Sequence, residues 1–249
     1  MARKRSTPKE NATRRCKGLI YGPPKCGKTH LLGTAAHDER TAPVAAIDFE
    51  GGMPEVLETM PGWNTDFIHM PIRNWDDFNE AYDRIKTNDE GFKSVGFDSL
   101  SETHIFALMN LLEDGTPRRE KNPDLIEQGD YGVGLVQLRR LTRYFRDLPL
   151  HIFYTAHDKE EVDTKEGRIK TVNLAGKAAT EIPGLMSCVG YLAQIEEEDG
   201  DKIVLTRSLL LKNYAKIRIG VRAPWGLEVP DEIDDPDITK ILNTLHYTN

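Results

Sequence analysis

The sequence contains little cysteine and no long apolar run. Its three cysteines, Cys16, Cys26 and Cys188, are an odd number at spacings that suit neither a disulfide framework nor a zinc site. No stretch approaches the roughly 18 consecutive apolar residues that a membrane span requires, and the N-terminus is basic rather than an apolar signal segment. We therefore expect a protein of the reducing cytoplasm with no membrane partner.

The net charge of −7 is unevenly distributed along the 249 residues. Residues 1–17 carry seven lysines and arginines against Glu10 alone, a net charge of +6, which leaves −13 for the rest of the chain. A basic arm on an acidic body favours an anionic partner such as nucleic acid. A solvated, disordered tail is the alternative that composition leaves open.

A glycine-containing stretch after a short apolar run carries the strongest signal. Residues 22–29, with the sequence GPPKCGKT, fit the phosphate-loop pattern G-x-x-x-x-G-K-[ST] at every fixed position. The two glycines let backbone N–H groups approach a β-phosphate, the lysine reaches the β and γ oxygens, and a helix begins there with its N–H groups free. We therefore predict a nucleotide site formed by Gly22, Pro23, Pro24, Lys25, Cys26, Gly27, Lys28, Thr29 and His30.

Acidic residues follow two further apolar runs. Glu50 comes just after the run 44–47, and Asp98 ends the run 92–98. Ligands bind at the carboxyl ends of strands in open α/β sheets, so we expect both carboxylates beside the phosphate loop. Asp98 and the Thr29 hydroxyl would then hold Mg²⁺, and Glu50 would accept the proton of an attacking water. A capping or loop role is the alternative for Glu50.

A histidine and several cations complete the candidate residues. His157 follows the apolar run 150–155, where it could hydrogen-bond a γ-phosphate or serve the structure alone. Two polar stretches without apolar periodicity, 113–130 and 158–174, read as long loops, which are normally functional or disordered. Their cations are Arg118, Arg119, Lys121, Lys165, Arg168 and Lys170. The alternation at 216–218 predicts a strand with Lys216 and Arg218 on one face.

Apolar runs that alternate with amphipathic segments predict an α/β fold. Helices are expected at 29–36, 74–86, 102–112, 131–145 and 237–245, strands at 43–49, 67–70, 92–99, 150–155 and 189–195, and a hairpin through the acidic turn 196–201 into 203–206.

The order of these motifs resembles the RecA-like ATPase core. The segments 47–50, with the sequence IDFE, and 97–99, with the sequence FDS, are similar to that family's water-activating and Mg²⁺-supporting strands. His157 stands where the family usually has a glutamine that couples the γ-phosphate to DNA. The resemblance implies a P-loop NTPase with a mostly parallel central sheet flanked by helices and a C-terminal β-hairpin extension. It also implies that the two polar stretches contact DNA and that Lys216 and Arg218 enter a neighbouring subunit's ATP site.

The resemblance covers residues 17–222, between a flexible basic arm at 1–16 and a tail with a short helix at 223–249. The compact chain is most similar to phage-encoded, core-only RecA-like proteins of single-strand annealing and recombination. This likeness implies a DNA-stimulated, ATP- and Mg²⁺-dependent ATPase that self-associates on single-stranded DNA in the host cytoplasm, with ATP sites between subunits and a single-strand DNA-binding protein as a further partner. A ring-forming helicase or helicase loader, a non-hydrolysing ATP-binding assembly module and a small-molecule kinase remain open.

Overall fold

A computed structural model describes residues 14–113, 128–199 and 202–248. Within these residues the strands are β1 Lys17–Gly22, β2 Val44–Asp48, β3 Phe67–Pro71, β4 Ser94–Asp98, β5 His151–Asp163, β6 Gly167–Val172, β7 Cys188–Asp199, β8 Lys202–Leu210, β9 Gly220–Val221 and β10 Glu232–Asp234. The helices are α1 Lys28–Gly33, α2 Met53–Leu57, α3 Trp75–Thr87, α4 Leu100–Glu113, α5 Gln128–Asp147, α6 Ala178–Glu181 and α7 Ile238–Thr244, with 3-10 turns at Thr34–His37 and Pro183–Leu185.

The described strands form one sheet in the order β10-β8-β7-β1-β5-β4-β2-β3. The pairs from β7 through β3 are all parallel. Strand β8 pairs with β7 as an antiparallel hairpin, and β10, β6 and β9 add further antiparallel pairs. The predicted α/β fold with a mostly parallel sheet and a C-terminal hairpin is therefore confirmed.

Burial explains why the central strands read as continuous apolar runs. Every residue of β2 and β4 is buried, because helices cover both faces of a parallel sheet. Alternate residues point to opposite faces. Tyr21 belongs to one hydrophobic cluster, with Phe78 of α3 and Phe145 of α5. Ile20 belongs to the other cluster, which contains Leu31 of α1 and Leu242 of α7.

Helix α3 shows how local sequence sets the element bounds. The side chain of Asn74 accepts a hydrogen bond from the backbone N–H of Asp77 over 2.9 Å and caps the N-terminus. Asn88 ends the helix in the left-handed region, with φ of 55°. The helix predicted at 74–86 is thus present at 75–87.

Two expectations about the polar segments are wrong. The stretch 158–174 is largely a hairpin, because β5 continues to Asp163 and pairs with β6. Polar side chains on both faces removed the apolar periodicity by which this hairpin would have been recognised. The strand expected at 216–218 does not form: Ile217 makes one isolated bridge with Lys170, directly after a turn at 215–216.

None of the helices in the described ranges combines the length and the apolar character that a membrane crossing requires.

Candidate active site

The carboxyl ends of four parallel strands meet beside the phosphate loop. The register pairs Gly22 at the end of β1 with His157 on β5, and Asp48 at the end of β2 with Asp98 at the end of β4. Strands β4 and β5 are themselves neighbours, so the four ends are contiguous. The turn that follows β2 carries Glu50 to the same edge.

Two glycines are required by the path of the phosphate loop. Gly27 has φ of 96°, a conformation that side chains with a Cβ rarely adopt. A Cβ on Gly22 would lie 2.5 Å from the carbonyl oxygen of Leu192 on β7. The first glycine of the motif therefore serves close packing against β7, and the second serves the turn.

Lys28 is folded against the backbone of its own loop. The side chain is only 7% exposed, and its Nζ donates to the carbonyl oxygens of Gly22 over 3.1 Å and Pro23 over 2.8 Å. The side chain of Cys26, within the same loop, is buried, and burial raises the pKa of its thiol. The two hydrogen bonds of Lys28 hold its ammonium group inside the loop, where the motif requires it.

The other predicted loop residues form its outer surface. Pro24, Lys25 and His30 are exposed, and Lys25 has a positive φ of 63°. His30 is the third residue of α1, on the side of the loop that faces β8.

Thr29 and Asp98 are joined by a short hydrogen bond. The Thr29 hydroxyl donates to Oδ2 of Asp98 over 2.6 Å. The second carboxylate oxygen, Oδ1, accepts a hydrogen bond from the hydroxyl of Thr155 on β5. Burial raises the pKa of Asp98, because desolvation disfavours the charged form of the carboxylate. A cation bound here would offset that cost.

This pair of oxygen donors fits Mg²⁺. Proteins commonly hold Mg²⁺ by one or two of their own oxygens, with waters and substrate phosphates completing the coordination. Thr29 and Asp98 supply such a pair next to the phosphate loop. In residues 14–113, 128–199 and 202–248 no three His, Cys, Asp or Glu side chains cluster in a way that could hold a metal without a nucleotide.

Glu50 and His157 form an ion pair at the same edge. Nε2 of His157 lies 3.1 Å from Oε1 of Glu50. The hydrogen bond from His157 lowers the pKa of Glu50, and the same hydrogen bond raises the pKa of His157. The Ser101 hydroxyl accepts from the backbone N–H of His157 over 3.1 Å and fixes this part of β5. Glu50 is thus held as a carboxylate at this edge of the sheet.

Asp48 organises the turn that carries Glu50, and the sequence interpretation gave it no separate role. Its Oδ1 accepts from the backbone N–H groups of Glu50 and Gly51 over 3.1 and 2.7 Å, and its Oδ2 accepts from that of Met53 over 3.2 Å. His69 on β3 lies 3.0 Å from Oδ2. An aspartate two residues before an acidic residue at a strand end is the signal that could have indicated this turn.

The segment that carries the cations expected in a neighbouring ATP site lies against the β5–β6 hairpin in this chain. Lys216 and Arg218 are both exposed. The guanidinium of Arg218 lies 3.4 Å from Asp163 and 3.2 Å from Glu166 of the β5–β6 hairpin, and it borders a groove of about 550 Å³. The Tyr21 hydroxyl donates to the carbonyl oxygen of Arg218 over 2.9 Å, which ties this segment to β1.

The cations predicted to contact DNA are only partly available. Lys165 and Arg168 are exposed on the β5–β6 hairpin. Lys170 instead donates to the Tyr191 hydroxyl over 2.9 Å, with its Nζ 5.1 Å from the centre of that ring. The predictions for Arg118, Arg119 and Lys121, and for residues 1–13 of the arm at 1–16, lie outside the described residues. The end of the arm is not free: Arg14 donates to the carbonyl oxygen of Arg222 over 2.7 Å, and Cys16 is buried.

A residue absent from the sequence interpretation, Arg207 on β8, lies against the phosphate loop. A Cβ built on Gly27 would be 2.9 Å from its Nη1. No local pattern around position 207 indicates this contact, because it depends on the register of β8 with β7.

The parallel sheet and the phosphate loop with its strand-end acids define a RecA-like P-loop ATPase domain. Residues 14–219 match the family described as an AAA domain, and the chain belongs to that family. No curated protein sequence matches the chain.

Two of the solved structures that match the chain are proteins of Pyrococcus horikoshii OT3 and Methanocaldococcus jannaschii. A KaiC-like protein, PH0186, from Pyrococcus horikoshii OT3 is 16% identical, with a TM-score of 0.46 and 90% of each chain covered. The flagellar accessory protein FlaH from Methanocaldococcus jannaschii is 14% identical, with a TM-score of 0.43, and the match covers 89% of this chain and 85% of FlaH.

Proposed function

We propose that this protein is a Mg²⁺-dependent ATPase that assembles on single-stranded DNA and acts in phage-type DNA recombination or annealing. The observation that carries the hydrolytic part is the Glu50–His157 ion pair, which lies at the same sheet edge as the Thr29–Asp98 pair. A module that only binds ATP has no need of a carboxylate held in this way.

The residues of the chain have separate tasks in this reaction. The phosphate loop and Lys28 bind the β- and γ-phosphates, and Thr29 and Asp98 hold the cation. Bound Mg²⁺ would offset the charge of the phosphate oxygens. Glu50 orients the attacking water and accepts its proton. His157 keeps Glu50 in place by its hydrogen bond and would respond to a γ-phosphate bound at this edge of the sheet.

DNA binding is proposed from charge. Residues 1–13 carry four cations against Glu10, a net charge of +3, and cations that contact phosphates produce binding without sequence preference. Further along the chain, Arg14 and Lys17 donate to the carbonyl oxygens of Arg222 and Leu148. On the β5–β6 hairpin, Lys165 and Arg168 are the exposed candidates, whereas Lys170 is engaged by Tyr191. The hairpin also carries Glu160, Glu161, Asp163 and Glu166, so the basic arm is the larger source of attraction.

Self-association would complete the ATP site. Lys216 and Arg218 lie on an exposed segment of the chain, where a neighbouring subunit could receive them. Cations supplied across an interface stabilise the charge of the transition state as arginine fingers do. Arg218 would exchange its partially exposed partners, Asp163 and Glu166, for the phosphates of that subunit.

The experiment that tests this proposal is ATP hydrolysis against protein concentration, with and without single-stranded DNA, at low and moderate salt. We expect the rate per chain to rise with both concentration and DNA, and the DNA effect to weaken as salt rises. Turnover that ignores DNA at every salt concentration would remove the recombination proposal and leave a DNA-independent ATPase or a kinase. ATP binding without turnover under all conditions would favour the non-hydrolysing assembly module.

A further inference from the structure

Arg207 occupies the side of the phosphate loop that faces the C-terminal hairpin. Its Nη1 lies 3.3 Å from Nδ1 of His30 and 2.9 Å from the position of a Cβ on Gly27. The guanidinium, carried by β8, is therefore within reach of a group bound by the loop.

The order of the strands indicates which part of a nucleotide Arg207 would meet. Asp98 and His157 lie on β4 and β5, on one side of β1, whereas β7 and β8 lie on its other side. The first side holds the residues assigned to Mg²⁺ and to the water that attacks the γ-phosphate. Arg207 is therefore opposite the γ-phosphate end and faces the end where the α-phosphate and the nucleoside continue.

The present partners of Arg207 hold it weakly. Its Nη2 lies 3.4 Å from Oδ1 of Asp235, and the Asp235 side chain is 77% exposed. Exposed ion pairs of this kind contribute little to stability. The Nζ of Lys240 lies 3.9 Å from Oδ2 of Asp235, so the aspartate keeps a cation nearby if Arg207 turns away.

We infer that Arg207 is a nucleotide-binding residue that contacts the α- and β-phosphates of ATP and ADP alike, exchanging Asp235 for phosphate oxygens. This inference rests on the proposed ATP site. An arginine fork is suited to phosphate because it donates two parallel hydrogen bonds. Asp235 directly follows β10 and donates its backbone N–H to the carbonyl oxygen of Arg207 over 2.7 Å. The exchange would thus make the segment around β10 sensitive to bound nucleotide.

The test is equilibrium binding of ATP and of ADP to the full chain and its variants. Arg207→Ala should raise the Kd of both nucleotides by the same factor, about tenfold or more, since a hydrogen bond to a charged group is worth roughly a factor of ten to a hundred. Arg207→Lys should recover part of the loss. In ATP hydrolysis, Arg207→Ala should raise KM while kcat, the rate at saturating ATP, changes far less. Asp235→Asn should lower the Kd of both nucleotides about twofold to fivefold, because it removes a weak competing ion pair.

Two controls separate this inference from the proposed function. Lys28→Ala should lose binding of both nucleotides, and Arg84→Ala, which removes an exposed cation on α3, should bind both normally. If Arg207→Ala binds normally while Lys28→Ala does not, the inference is wrong and the ATP site stands. If Lys28→Ala still binds ATP, the proposed function itself fails. A loss confined to ATP would place Arg207 at the γ-phosphate and overturn the assignment.

Discussion

Nε2 of His157 lies 3.1 Å from Oε1 of Glu50, so a histidine on β5 restrains the candidate base in the turn after β2. Each member of the pair shifts the pKa of its partner toward the charged form. Glu50 is therefore a carboxylate at neutral pH, which is the protonation state that a general base requires.

Replacing that carboxylate tests its role directly. Glu50→Gln should bind ATP with near-normal affinity and hydrolyse it on the order of a hundredfold to ten-thousandfold more slowly, because an amide cannot accept the proton. Single-turnover hydrolysis and nucleotide binding measured on the same preparation provide the check. Normal turnover would move the base to another residue.

Asp48 should act as a positioning residue for Glu50. Asp48→Ala removes the acceptor for three backbone N–H groups of the turn, so we expect kcat to fall on the order of tenfold to a hundredfold with KM little changed. His69→Asn, which alters only the outer contact, is the matched variant and should cost much less. Equal losses in both variants would contradict this role.

Arg218 should act in a neighbouring subunit. Arg218→Ala alone and Lys28→Ala alone should both be poor ATPases. Their mixture should recover activity, because some interfaces then pair an intact phosphate loop with an intact Arg218. Hydrolysis measured across mixing ratios at fixed total protein provides the test. The absence of any recovery would mean that Arg218 acts within its own chain or not at all.

Gly22 should be intolerant of any side chain. Gly22→Ala places a Cβ 2.5 Å from the carbonyl oxygen of Leu192, a clash with backbone that should lower the free energy of unfolding by about 1–3 kcal/mol. Gly220→Ala is the matched control, since its Cβ would meet nothing within 4 Å. The measurement is the midpoint of denaturant unfolding of the two variants. Similar midpoints would show that the β7 backbone moves to accommodate the added methyl group.

The buried His151 should make stability depend on pH. Burial lowers the pKa of His151 from 6.5 to about 4, so the unfolded chain binds a proton that the folded chain rejects between these values. The buried His151 therefore leaves the free energy of unfolding unchanged above pH 6.5 and lowers it by about 3 kcal/mol as the pH falls to 4. His151→Asn keeps an acceptor for the Cys16 N–H and should flatten this part of the profile. If the slope of the free energy of unfolding against pH were unchanged in His151→Asn, another residue would be responsible for the proton uptake.

The central sheet could be predicted because its strands are buried on both faces. Residues 44–48 and 94–98 are apolar runs that end in acids, and the rule that ligands bind at the carboxyl ends of parallel strands then places Asp98 near the phosphate loop. The fixed spacing of the phosphate-loop residues predicted the nucleotide site itself. The apolar runs, the acids that end them and the phosphate-loop pattern can all be recognised because each lies within a short stretch of sequence.

The features that the sequence did not indicate are those that depend on pairing between segments distant in the chain. Arg207 reaches the phosphate loop only because β8 folds back on β7, and the hairpin of β5 and β6 has polar residues on both faces. The alternation at 216–218 predicted a strand, but beside β6 it makes only the bridge between Ile217 and Lys170. Periodicity alone does not report whether a neighbouring strand is available.

The last helix lies behind the phosphate-loop helix, on the same face of the sheet. The backbone N–H of Ile238 donates to the Thr34 hydroxyl over 2.9 Å, and Leu242 shares a hydrophobic cluster with Leu31. A fluorescent reporter or affinity tag fused close to α7 would therefore disturb the wall of the nucleotide pocket from behind. Such a fusion would appear as a weak ATP binder although every residue of the pocket is unchanged, and a spacer between α7 and the fused partner would avoid that artefact.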